Sequence, residues 1–104
     1  MTPKERRVQL NNLLMTIIPT VYFQPPSNVK MNYPCIVYHY VGDDTLRAND
    51  DRYLVQREYS ITVMDMDPDS TVHEQILNLF KGKCSLVSRA VVNNLNHTYL
   101  KLFH

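Results

Sequence analysis

The sequence predicts an α+β domain: a mainly antiparallel sheet of four to five strands, with a mixed sheet as the alternative, and two helices packed on one face, in the order α-β-β-β-α-β-β. Three observations lead there. Apolar residues recur at helical spacing in two segments, one near the N-terminus and one after residue 70. A period-two alternation of apolar and polar residues runs through residues 53–64. Helices do not alternate regularly with strands, which argues against a doubly wound parallel sheet.

A length of 104 residues suits one domain, and no linker, internal repeat or low-complexity stretch divides residues 1–104. The apolar content of 44% supports one core. Lys plus Arg is 11 against 10 for Asp plus Glu, a net charge of +1 that argues against life on a nucleic-acid or membrane surface. The two glycines, Gly42 and Gly82, are too far apart for a phosphate-binding loop or a dinucleotide fingerprint. Basic residues open the chain, but Gln9, Asn11 and Asn12 interrupt the apolar run that a signal peptide needs. No stretch approaches the ~18 apolar residues of a membrane span, so no membrane partner is expected.

Thr2-Pro3-Lys4-Glu5 reads as a capping box with proline at the first helical position. Leu10, Leu13, Leu14, Ile17 and Ile18 form one stripe, and Pro19 disfavours helix at Ile18, so a helix is predicted over 3–17. Val21, Tyr22 and Phe23 suit a short strand closed by Pro25-Pro26. Residues 33–41 are strongly β-prone. There Cys35, Val37 and Val41, with His39 among them, face one way, and Ile36, Tyr38 and Tyr40 the other. Two such faces want cover on both sides, and in a small domain a second subunit can supply it. Residues 42–52 hold four Asp and two Arg and predict a solvated hairpin loop much longer than the usual two to five residues.

The strand that follows alternates Val55, Tyr59, Ile61 and Val63 with Gln56, Glu58, Ser60 and Thr62. A second helix is predicted with Ser70 as N-cap, or an earlier start at Asp67-Pro68, with Val72, Ile76, Leu79 and Phe80 on its buried face and Gly82 as the C-terminal cap. Residues 84–92 form a strand, 93–97 a turn, and 98–103 a last short strand.

Candidate chemistry is sparse. Asp65, Asp67 and Asp69 alternate, but the sixth and twelfth positions of a calcium loop fall on Ser70 and Ile76 rather than Gly and Glu, so they read as anions at a helix N-terminus. His39, His73, His97 and His104 lie at no metal-ligand spacing. His39 reads as a partly buried strand residue and His73 as part of the polar helix face. Cys35 and Cys84 read as small buried thiols, and a His39–Cys35 pair has no third catalytic member. No catalytic residue, metal or cofactor is therefore expected. Seven tyrosines cluster on strands. Stacking nucleic acid on them would need interleaved basic residues, which 33–41 lack, so a subunit interface fits better. Candidate assembly contacts are Asp43, Asp44, Arg47, Asp50, Asp51 and Arg52 in the polar excursion, with Tyr38 and Tyr40 on the strand before it.

Three segments carry a family resemblance: Tyr33-Pro34-Cys35-Ile36-Val37-Tyr38; Tyr59-Ser60-Ile61-Thr62-Val63 running into Asp67-Pro68-Asp69-Ser70; and Asn94-Leu95-Asn96-His97-Thr98-Tyr99-Leu100. In this order, over about residues 33–103, the chain resembles the tail completion proteins of long-tailed bacteriophages, also called tail terminators or tail-to-head joining proteins. The resemblance implies a non-enzymatic structural protein of the virion, assembled in the host cytoplasm. It implies a homo-oligomeric ring, typically a hexamer, at the head-proximal end of the tail tube. Such a ring stops tube growth and joins the tail to the head connector, so the implied partners are further copies of itself, the tail tube protein and the head completion protein. Genome DNA at most passes through the ring. The alternative reading is a small nucleic-acid-binding or regulatory module, and a small hydrolase comes third.

Overall fold

The computed structural model describes residues 3–26, 30, 32–48 and 51–104, with backbone alone at 3, 43–48 and 51–56. Two helices, α1 (Pro3–Met15) and α2 (Val72–Leu79), lie with five strands: β1 (Val21–Phe23), β2 (Cys35–Ala48), β3 (Asp51–Asp65), β4 (Cys84–Val92) and β5 (Leu95–Phe103). The strands form one mixed sheet in the order β1-β2-β3-β5-β4, parallel between β1 and β2 and antiparallel elsewhere. This is the predicted α+β fold. The Thr2 capping box lies outside the described residues.

Register explains the core. Ile36 pairs with Val63, Tyr38 with Ile61 and Tyr40 with Tyr59, while Tyr59 and Ile61 also face Leu102 and Leu100 of β5. Strand side chains alternate, so these pairs stand on one face of the sheet. Leu10 and Leu14 of α1 and Val72, Ile76 and Phe80 at α2 close over that face. The Tyr38 hydroxyl reaches the helix layer and donates to Asn11 Oδ1 at 2.8 Å, which satisfies the one polar atom of a fully buried ring. Arg7 of α1 sits 4.6 Å from the Phe23 ring centre and ties α1 to β1.

Several local expectations change. The first helix ends at Met15, two residues early, because the chain tightens into i→i−3 bonds: Thr16 N–H and hydroxyl both donate to Leu13 O, and Ile17 N–H to Leu14 O. In α2 the buried face is Val72, Ile76 and Phe80 with Leu77 partly packed, whereas Leu79 is exposed. At about 3.6 residues per turn Val72, Ile76 and Phe80 span an arc of about 80°, and Leu79 falls about 20° outside it, at the rim of the buried face. The N-cap is Thr71, which makes no side-chain capping bond, while Ser70 Oγ accepts the Val72 N–H at 3.4 Å. Phe80 caps the C-terminus, and Gly82 turns the chain two residues later at φ +86°. The five-residue turn expected at 93–97 shrinks to Asn93-Asn94, both at positive φ, as a two-residue hairpin of matching twist requires.

The largest correction concerns residues 42–52. The β2–β3 ladder continues through Asp43↔Arg57, Asp44↔Gln56 and Leu46↔Leu54 to Ala48↔Asp51. The excursion is thus a two-stranded β arm with two residues between its paired ends, not a long loop. The longest dimension of the molecule is 48 Å against 25 and 22 Å across, and its radius of gyration of 14.5 Å exceeds the roughly 13 Å usual for this length. A second correction concerns β2. Cys35 and Val37 are already buried within one chain, so no second subunit is needed over that half of the strand, and His39 is exposed rather than partly buried.

Truncating Ile76 to alanine should cost about 3 kcal/mol through lost burial and an unfilled cavity. Leu79→Ala should change stability by less than about 0.5 kcal/mol. Urea denaturation of both variants checks which residues face the core, and equal costs would contradict this packing.

Candidate assembly surfaces

Three surfaces remain after the core is accounted for: the arm, the β4 edge, and the sheet face opposite the helices. The arm starts at a bulge. Tyr40 pairs with Tyr59 and Gly42 with Glu58, so Val41 is an extra residue in β2, and bulges bend and twist a strand. Beyond this point β2 has no paired strand on its outer side among the described residues, because β1 pairs with residues 36–38. On β3 the last pairing with β5 is Glu58↔Phe103, extended once by the reciprocal Arg57–His104 backbone bonds at 3.3 and 2.9 Å. The arm therefore projects roughly 20 Å as an isolated ribbon at ~3.4 Å per residue. A two-stranded ribbon is marginal by itself in water.

The sequence-derived contacts divide accordingly. Asp43, Asp44 and Arg47 lie on the arm portion of β2, and Asp51 and Arg52 on that of β3; the structure describes their backbone alone. Asp50 lies outside the described residues. Tyr40 stands at the arm base, 38% exposed, with the Arg57 guanidinium 4.9 Å from its ring centre and Tyr59 at 6.0 Å. Tyr38 is at 0% exposure and serves as core, so it presents no surface to a partner.

The β4 edge is the feature that sequence reading missed. Residues 84–92 look like an ordinary buried strand, yet every side chain from Ser85 to Val92 is exposed. The core cluster reaches β4 only at its first residue, Cys84. Arg89 and the serines within the apolar run were the available signal, since a strand packed on both faces has no room for them. On the sheet face away from the helices, Lys101 pairs with Glu58 at 3.4 Å and lies over the Phe103 ring at 5.2 Å. His97 Nδ1 lies 3.3 Å from the Tyr99 hydroxyl there.

The other candidate groups have structural work. Asp65 Oδ1 accepts the Asp67 N–H, and Asp67 Oδ1 the Asp69 N–H, each at 2.9 Å. The aspartates thus build consecutive Asx turns rather than complementing the α2 dipole, which begins only at Val72. Among the described residues no group of three or more His, Cys, Asp or Glu gathers to hold a metal ion, and no helix is long and apolar enough to cross a membrane. Both cysteines are free, and burial pushes each thiol up to about 11. A thiol so shifted carries almost no thiolate near neutral pH and is a poor nucleophile. The His104 imidazole is held below its ordinary value by burial first, then by the charges of Lys83 and Arg6. Compared with models of known protein families and with curated proteins, the chain finds no match.

These shifts fix a pH response. A thiol raised by folding contributes stability that is present below the unfolded value near 9 and is lost as pH climbs toward 11. Wild type should therefore lose stability relative to Cys84→Ala between about pH 9 and 11 and keep a constant difference from it below pH 8. Paired urea titrations across that range check this, and a constant gap up to pH 11 would count against a buried, neutral Cys84.

Proposed function

We propose that this chain is a structural assembly protein of the tail terminator type, which forms a ring at the head-proximal end of a phage tail tube, stops tube growth and joins the tail to the head connector. The observation that carries the reading is the arm. A strand pair that leaves the body without a third strand or a helix over it gains its stability from something outside the protomer. An assembly element does this, whereas a self-contained enzyme has no use for it.

Other features support the same reading. Burial holds both thiols in the neutral form, which leaves neither as a ready nucleophile. Tyr40 at the arm base is the kind of half-exposed ring that subunit contacts favour. The alternative, a nucleic-acid-binding module, rests on Tyr99 and Lys101 on the open sheet face. There the Lys101 charge is already matched by Glu58.

Native mass measurement and negative-stain electron microscopy of the purified protein test the proposal. The expected result is a closed multimer with annular views. Replacing Asp43, Asp44, Asp50 and Asp51 with Asn should leave the melting temperature of the dissociated protein nearly unchanged and reduce the multimer population, because peripheral charges give orientation more than fold stability. A protein that stays monomeric at all concentrations and binds single-stranded oligonucleotides would contradict the proposal in favour of the alternative.

A further inference from the structure

We propose that the β2–β3 arm of one copy adds to the β4 edge of a second copy as an extra strand, and so joins copies head to tail. The inference rests on the assembly reading above and names the contact that reading leaves open.

The receiving surface comes first. β4 is the outermost strand of the sheet and runs for nine residues. It has no proline, and Leu86, Val87, Val91 and Val92 are exposed at 48%, 62%, 69% and 47%. It also carries a bulge at Val87 and the charge of Arg89, and the rest of its length is an apolar edge that can template another strand. The opposite edge is closed to that use: β1 has three residues between Pro19 and Pro25.

The occupant must be an extended segment with an unshared edge of similar length. The arm is the segment of this chain that qualifies. Its β2 side is unshared beyond β1, and its β3 side is unshared beyond Arg57. Charge then separates the arm from the other candidate, a second β4. Residues 75–104 contain Lys81, Lys83, Arg89 and Lys101 and no Asp or Glu. Lys81, Lys83 and Arg89 are exposed, and no ion pair joins them to a described acidic residue. Two β4 strands paired antiparallel about their midpoint at Ser88 would put each Arg89 opposite Val87 and the two Arg89 side chains on a diagonal, two like charges with no acidic partner on either edge. The arm carries Asp43, Asp44, Asp50 and Asp51 against Arg47, Arg52 and Arg57, so its excess is slightly acidic and is concentrated in the pairs Asp43-Asp44 and Asp50-Asp51. The resulting contact uses different surfaces on the two copies, so each copy keeps one arm and one edge unsatisfied until a ring closes.

Charge reversal tests the pairing. Lys83→Glu with Arg89→Glu should weaken association about tenfold, and Asp43→Lys with Asp44→Lys should do the same. Both reversals in one chain should restore association to within about threefold of wild type, because the complementary signs are exchanged rather than lost. The measurement is sedimentation across a concentration series, with melting of each dissociated variant as a check on folding. Should a reversal unfold the protein, Arg89→Gln and Asp43→Asn are expected to give the same rank order with smaller effects. A multimer that ignores the edge reversal, or is not rescued by the double exchange, would overturn this contact and leave the ring reading standing. A wild type that never associates would overturn both.

Discussion

The antiparallel pairing of β2 with β3 is the constraint on which the rest of this molecule depends. Its inner half delivers Ile36, Tyr38, Val63, Ile61 and Tyr59 to the face that α1 and α2 cover. Its outer half uses the same backbone ladder with no helix above it and no strand beside it. One hairpin therefore lives in two solvents. Apolar burial holds the inner half, at about 25 cal/mol per Å² removed from water, and the same ladder of cross-strand pairs continues through the outer half. The bulge at Val41 marks the change from one regime to the other.

The second consequence is asymmetry between the sheet edges. Prolines close the β1 side after three residues, while β4 presents a full-length edge on the other. Proteins blunt such edges when they must stay single, and β4 has only the bulge at Val87 and the charge of Arg89 to do so. The proposed contact between arm and edge would have a direction, and directed contacts close into rings or run on as filaments.

Much of this was legible in the sequence, for identifiable reasons. The Leu10–Leu14 stripe and the alternation at 59–63 are periodic, and Leu10, Leu14, Tyr59, Ile61 and Val63 are buried as that period requires. The arm was not legible, because Asp43, Asp44, Asp50 and Asp51 depress β propensity and their run looks like a loop; cross-strand register overrides that local preference. The Asn93-Asn94 turn was blurred into its neighbours because Asn96 and His97 are polar, yet both lie on β5. Tyr38 was placed at a surface since alternation alone cannot tell which of two apolar faces the helices choose. The β4 edge was invisible for a related reason: sheet order is a property of long-range pairing, and an edge strand and a central one can share a composition.

The most direct measurement of the central claim is amide hydrogen exchange over residues 42–57, followed as a function of protein concentration. If the arm is stabilised by another copy, its amides should exchange rapidly in dilute protein and become protected as multimer forms, while the amides of residues 59–63 stay protected throughout. Equal protection of the arm at every concentration would mean that the ribbon is stable alone, and persistent rapid exchange in the assembled multimer would mean that it takes no part in the contact. Either result would contradict the account.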